Sequence, residues 1–140
     1  MAEEHDIVCR NPSERRPSRA DDVSPEAEFK KAFSADWTML FRYSALTFNR
    51  HRIHYDVDYC RDVEGYINLV AHGPLCATLL AGFAEETSGR TLRSFTYREP
   101  RPAVLGTTLT LNAAIREDGV AVWTTLPDGG VSMRAMAEVE

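Results

Sequence analysis

From Leu92 onward the chain alternates. Leu92, Ser94, Thr96 and Arg98 interleave with Arg93, Phe95 and Tyr97, the two-residue period of a strand with two different faces. Residues 106–116 follow, with Leu109, Leu111, Ala113 and Ile115 on one face. Glu117-Asp118-Gly119 precedes a β-rich stretch over 120–126, and Asp128-Gly129-Gly130 precedes another over 131–139. Asp-Gly steps between such stretches predict consecutive hairpins. Ahead of them the period changes. Residues 74–86 carry Leu75, Leu79, Leu80, Phe83 and Ala84, with Ala77, Ala81 and Gly82 on the remaining face. Pro74 suits a first helical turn and Gly89 a helix end. A helix apolar on more than one face is one that other elements wrap around. One buried helix followed by at least four antiparallel strands predicts an α+β domain, its sheet curled around the helix.

The amino-terminal half is less regular. Residues 37–48 are apolar and aromatic and predict a strand passing into a short helix, and residues 56–63 predict another short helix. Ser24-Pro25 reads as a helix start, with Ser24 as N-cap, cut short at Ser34-Ala35-Asp36. Upstream, Arg, Ser, Pro, Glu and Asp dominate with almost no apolar content, as in segments that bury too little to fold. The expected division is a flexible arm over residues 1–30 and a folded domain over 31–140.

Composition narrows the function classes. At 140 residues with 44% hydrophobic and 26% charged positions, the chain reads as one ordinary globular domain. A net charge of -5 and a pI near 5.4 argue against nucleic acid or an anionic membrane as partner. No apolar run reaches the roughly 18 residues of a membrane span. The acidic start, Met1 to Asp6, is unlike a secretory signal. Cys9, Cys60 and Cys76 are odd in number and lack metal-type spacing, which fits reduced thiols in the cytoplasm.

The chemistry concentrates in one place. Asn49 to Asp56 packs two histidines, two arginines, an asparagine and an aspartate into eight residues, directly after the aromatic stretch. His54 is suited to take a proton from water near neutral pH, or is simply structural. Asn49, five residues upstream, either holds a water or substrate oxygen or serves as a turn residue; its amide is neither acid nor base. His51 is a second proton carrier or a loop-fixing residue. Arg42 and Arg52 grip an anionic substrate group or pair with Asp56, Asp58 and Asp62. No metal-ligand spacing is present around these histidines, so no metal is expected. Further on, His72-Gly73-Pro74 opens the apolar helix. A helix amino terminus offers unpaired N–H groups and a positive partial charge, and glycine lets a carbonyl come close. The same triplet also suits a plain loop-to-helix entry.

Residues 40–56, with Phe41-Arg42-Tyr43-Ser44-Ala45-Leu46-Thr47-Phe48-Asn49 and His51-Arg52-Ile53-His54-Tyr55-Asp56, resemble the MaoC-like hot-dog hydratases and dehydratases, as do Glu64-Gly65-Tyr66 and Leu69 to Leu75. The branch is that of mesaconyl-C4-CoA-type hydratases and fungal mitochondrial 3-hydroxyacyl-thioester dehydratases. The resemblance runs from about Trp37 to the C-terminus. It implies a hot-dog fold and a cofactor-independent hydro-lyase acting on an acyl thioester, with CoA or phosphopantetheine only as part of the substrate. It further implies His54 as the acid/base group, Asn49 as the water-positioning group in place of the wider family's aspartate, and His51 as possible help. Gly73, with His72 and Arg52 beside it, would receive the thioester carbonyl and the rest of the substrate. Ile67-Asn68 stands where the branch usually has Pro-Gly. Members are often twice as long, so a chain of this length is expected to pair with itself or with another hot-dog subunit. The rivals are a 3-hydroxyacyl-carrier-protein dehydratase and a non-catalytic acyl-thioester-binding subunit. A thioesterase is disfavoured, because it would want a carboxylate near the central helix, and Glu85 and Glu86 sit at the far end from Gly73.

Overall fold

A computed structural model describes Glu4 and residues 24–140. Most of the predicted 1–30 arm lies outside the described residues, but its last two positions belong to strand β1 (Phe29–Phe33). The helix expected from Ser24 does not form. The Glu28 N–H donates to the Ala113 carbonyl at 2.9 Å, and β1 pairs antiparallel with β3 (Leu109–Arg116). The Ser24 hydroxyl accepts the Trp123 indole N–H at 2.8 Å instead of capping a helix. Partners distant in sequence thus override a local helix-start signal.

The stretch expected to pass from strand to helix is helical throughout. Asp36, which was to interrupt a helix, starts one: its Oδ1 accepts the Met39 N–H at 2.7 Å, and α1 runs Trp37–Thr47. It ends at Phe48, a non-glycine residue at φ 52°. Asp56 caps α2 (Val57–Asp62) in the same way, accepting from the Tyr59 N–H at 3.0 Å. The long helix α3 spans Gly73–Ser88 and closes on Gly89 at φ 65°, whose N–H donates to the Glu85 carbonyl. Only a left-handed residue turns the chain that way, and glycine does so without a Cβ penalty.

With β2 (Leu92–Arg98), β4 (Gly119–Thr125) and β5 (Val131–Val139), one five-stranded sheet forms in the order β1-β3-β4-β5-β2. Every named pairing is antiparallel. Both predicted hairpins are present. In the first, Arg116 faces Gly119 across a two-residue turn, and a Cβ at position 119 would run into the Ala137 carbonyl oxygen.

The core lies between α3 and the sheet. Cys76, Leu80, Phe83 and Ala84 recur at helical spacing and are buried, facing Leu109, Leu111, Val122 and Met133. Two expectations change here. Ile115 is 46% exposed, although Leu109, Leu111 and Ala113 on its face are buried, because β3 runs past the end of the helix it covers. Thr78 and Gly82 on α3 are exposed, because a single sheet covers one side of the helix. The fold matches the expected hot-dog arrangement of an antiparallel sheet against one long helix.

Leu80 is fully buried at the centre of this contact. Leu80→Ala is expected to lower the unfolding free energy by about 2–5 kcal/mol. Thr78→Ala on the open side is expected to change it by less than about 0.5 kcal/mol. Urea unfolding midpoints at constant slope check both.

Candidate active site

The residues between α1 and α3 are held by a short bridge. Val70 and Val104 pair as an isolated β-bridge. The Ala71 N–H donates to the Ala103 carbonyl at 2.8 Å, and the Leu105 N–H donates to the Leu69 carbonyl at 2.7 Å. The Val70 N–H donates to the Ile53 carbonyl at 2.9 Å, so the Arg52–His54 turn is tied to the segment that leads into α3. Asn68 anchors the loop before it, donating from Nδ2 to the Leu105 carbonyl, while Ile67 is left 78% exposed.

His54 is buried, and its Nδ1 lies 2.8 Å from the Val70 carbonyl oxygen. A carbonyl only accepts, so Nδ1 carries the hydrogen and Nε2 keeps a lone pair. The imidazole ring lies on that of His72, with centroids 3.6 Å apart and planes 19° from parallel. His51 continues the ladder at 6.3 Å from His54, and Tyr43 tilts against His72 at 4.8 Å. His72 is the N-cap residue of α3 and is fully buried. Its Nε2 shares a hydrogen bond of 2.8 Å with the Ser44 hydroxyl on α1.

Stacked and buried, these rings resist charging. Burial first, and the neighbouring His54 second, push His72 down to about 4. Burial lowers His54 as well, opposed by its Val70 hydrogen bond and aided by His51. Both rings are therefore neutral near pH 7, and the Nε2 of His54 is available as a base.

Asn49 sits beside them, half-buried at the end of α1. Its Oδ1 accepts the His51 N–H at 3.0 Å, which fixes the amide so that the NH₂ group is the free end. That end donates to a water or a carbonyl oxygen and takes no proton. Tyr43, Thr47, Phe48, Asn49, Arg50, His51 and Pro74 line a groove of about 300 Å³. The first turn of α3 forms part of its wall, and no side chain caps that helix.

Of the residues singled out in the sequence, His54, Asn49, His51, His72 and Gly73 come together. Asn49 and His51 line the groove, while His54, His72 and Gly73 are not among its lining residues. Arg52 does not join them. Its Nη2 pairs with Asp56 Oδ2 at 2.7 Å, and its guanidinium lies 4.2 Å over the Tyr59 ring. Two further residues went unnoticed. Ser44 lay inside the aromatic run with nothing to mark its hydroxyl. Glu99, flanked by Arg98 and a proline, carries no signal of a role in the sequence. It comes instead to the amino end of α3, where its Oε2 occupies the space a Cβ on Gly73 would need. Its Oε1 is buried without a partner, and burial pushes the carboxyl up to about 7. The carboxylate near the central helix is thus Glu99, which replaces Glu85 and Glu86 in that comparison. Among the described residues, no group of three or more His, Cys, Asp or Glu could hold a metal, and no helix is long and apolar enough to cross a membrane.

Residues 1–105 match the family model of hydroxyacyl-thioester dehydratase type 2, so the likeness reaches into the arm that the motif left out. Mesaconyl-C(4)-CoA hydratase of Chloroflexus aurantiacus is 37% identical over 141 residues, covering 99% of this chain and 50% of its own length. The mitochondrial hydroxyacyl-thioester dehydratase type 2 of Schizosaccharomyces pombe is 38% identical over 68 residues, 46% of this chain and 23% of its own. The chain therefore spans half or less of these relatives. The structure of an (R)-hydratase from A. caviae superposes with a TM-score of 0.68 at 19% identity, covering 84% of this chain and 97% of that one. At that identity the likeness is one of fold.

The buried His72 makes stability depend on pH. Its folded-state value lies below the 6.5 of a free imidazole, so its contribution is fully present above pH 6.5 and fades as pH falls toward about 4. The loss attributable to this ring is expected to be on the order of 2–3 kcal/mol. Unfolding free energies across that range check this: His72→Asn should flatten the dependence, while wild type loses stability on the acid side.

Proposed function

The chain belongs to the hydroxyacyl-thioester dehydratase type 2 family, and from that premise we propose that it is a hydro-lyase adding or removing water across the 2,3-double bond of an acyl-CoA thioester. One observation carries the reading: a buried histidine whose Nδ1–H is committed to the Val70 carbonyl stands with its ring against the N-cap residue of α3. A neutral base is thereby placed beside a helix amino terminus. That is the pairing needed to activate water and to polarise a thioester together.

In the proposed reaction the Gly73 N–H takes the thioester carbonyl oxygen, helped by the positive end of α3. Polarising that carbonyl makes the β-carbon electrophilic and the α-carbon of the enolate basic. The Asn49 NH₂ group and His54 Nε2 hold the water. Nε2 removes its proton as oxygen bonds to the β-carbon, and the double-bond electrons move to the thioester oxygen. The imidazolium then returns the proton to the α-carbon as the carbonyl re-forms. Net addition is one water, and dehydration is the reverse. Because Asn49 cannot carry a proton, His54 serves both halves. His51, 6.3 Å from it, is placed to assist and does not replace it. No separate cofactor takes part, since CoA belongs to the substrate.

We further propose that the chain works paired, with a second copy or another hot-dog subunit. The open side of α3 supports this. Trp37, Phe41, Leu46 and Phe48 on and after α1 are also 54–92% exposed, a large apolar area for an isolated domain. Cys60 and Cys76 are unbridged, which suits a reducing compartment, taken here as the cytoplasm.

Wild type is expected to consume the enoyl absorbance of crotonyl-CoA or mesaconyl-CoA, and His54→Ala to lose at least about 100-fold of kcat. Asn49→Ala should cost less. The rate should fall on the acid side only below pH 6.5, because protonating His54 removes the base and its value is lowered. Turnover of carrier-protein-linked but not CoA-linked substrates would move the reading to a carrier-protein dehydratase. No turnover of any thioester by wild type, alone or with a candidate partner, would leave a binding subunit.

A further inference from the structure

The buried side-chain atoms without a hydrogen-bond partner among the described residues are His72 Nδ1 and Glu99 Oε1. His72 precedes Gly73 in the chain, and the Glu99 carboxyl packs against Gly73. A fold ordinarily satisfies such atoms or exposes them, because each costs about 1–3 kcal/mol when left bare. A carboxyl oxygen left without a partner beside the residue proposed to receive a thioester marks a place where a ligand completes the bonding. One contact and one lack orient Glu99 for this: Oε2 is packed on Gly73, and Oε1 is buried without a partner.

Resting on the reading that this site handles an acyl thioester, we infer that Glu99, as a carboxylic acid, donates a hydrogen bond to the thioester carbonyl oxygen beside the Gly73 N–H. It is a second donor for the enolate. The hydroxyl proton stays on Glu99 throughout: the double-bond electron pair moves onto the thioester oxygen, that oxygen accepts from both donors, and the α-carbon is protonated by the His54 imidazolium. A carboxylate in the same place would repel the enolate instead.

The surroundings favour the acid form of Glu99. Burial alone raises its value to about 7. From α3 the facing titratable group is Cys76, whose thiol burial pushes up to about 12, so it stays neutral. His72 is neutral as well. On the strand side, Arg98 precedes Glu99 and pairs in register with Arg134 of β5, while Arg101 is drawn to Asp128 at 2.7 Å. Donation is therefore present below about pH 7 and lost above it.

Three proteins decide the matter: wild type, Glu99→Gln and Glu99→Leu, each assayed with crotonyl-CoA from pH 5.5 to about 9 (a span bracketing a carboxyl near 7). Glu99→Leu is expected to lower kcat by about 10²–10³-fold. Glu99→Gln, which keeps a neutral donor, should recover at least about tenfold of that loss and lack the alkaline decline of wild type. Carbon NMR of the Glu99 carboxyl in the full chain supplies a readout free of turnover, with saturated butyryl-CoA expected to raise its apparent pKa. Wild-type kcat and pH profile in Glu99→Leu would overturn the inference while leaving the hydratase reading intact. So would an unshifted carboxyl pKa with butyryl-CoA bound. Release of free thiol by wild type, abolished in Glu99→Gln, would also overturn it, assigning Glu99 as the base of thioester hydrolysis. A raised carboxyl pKa in a protein that hydrates no thioester would uphold the contact and sink the reaction.

Discussion

Two imidazole rings stacked 3.6 Å apart in the interior are the constraint around which this molecule is arranged. Like charges at that distance in a poorly solvated place cannot both exist, so the pair must be held neutral. Neutral rings still need their nitrogens paired. The fold supplies the Val70 carbonyl to one and the Ser44 hydroxyl to the other. Val70 is available because its own segment is bridged to residues 103–105, and Ser44 because α1 starts at the Asp36 cap. The positions of α1, of the Arg52–His54 turn and of the strand leading into α3 all serve that requirement.

The consequence is a division of work between the histidines. His72, at the helix entry and shut away from solvent, is scaffolding with a functional address. His54 has one nitrogen committed and one kept as a base, which suits proton transfer in both directions. Glu99 packs its carboxyl against Gly73 at the same helix entry. In the proposed reaction the base, the helix terminus and the acid act on one acyl thioester. Polar groups left incompletely bonded are expensive in a core, and the bare oxygen of Glu99 stands at the entry of α3.

The outer surface is consistent with that interior. A sheet against one side of α3 leaves Thr78 and Gly82 open, and Trp37 and Phe41 on α1 point outward. The left-handed Phe48 carries a 92% exposed ring next to Asn49, on the wall of the groove. Strain of that kind persists where the surroundings or a partner use it.

Local pattern by itself determined α3, β2 and both hairpins, because helical periodicity, the Pro74 and Gly89 signals and the Asp-Gly turns need nothing beyond neighbouring residues. The crowding of Asn49, His51 and His54 was likewise visible as chemistry, and the motif around it named the family. Tertiary structure alone decided the rest. Ser24 to Phe33 became an approach and a strand, since pairing with β3 outweighed a helix-start signal. Arg52 went to Asp56 and Tyr59, a choice that two plausible partners left open in the sequence. Ser44 and Glu99 gained their roles only through burial against residues far along the chain. Burial is a property of the assembled core, and it is burial that turns an ordinary hydroxyl into a histidine's partner and an ordinary carboxylate into an acid near neutral pH.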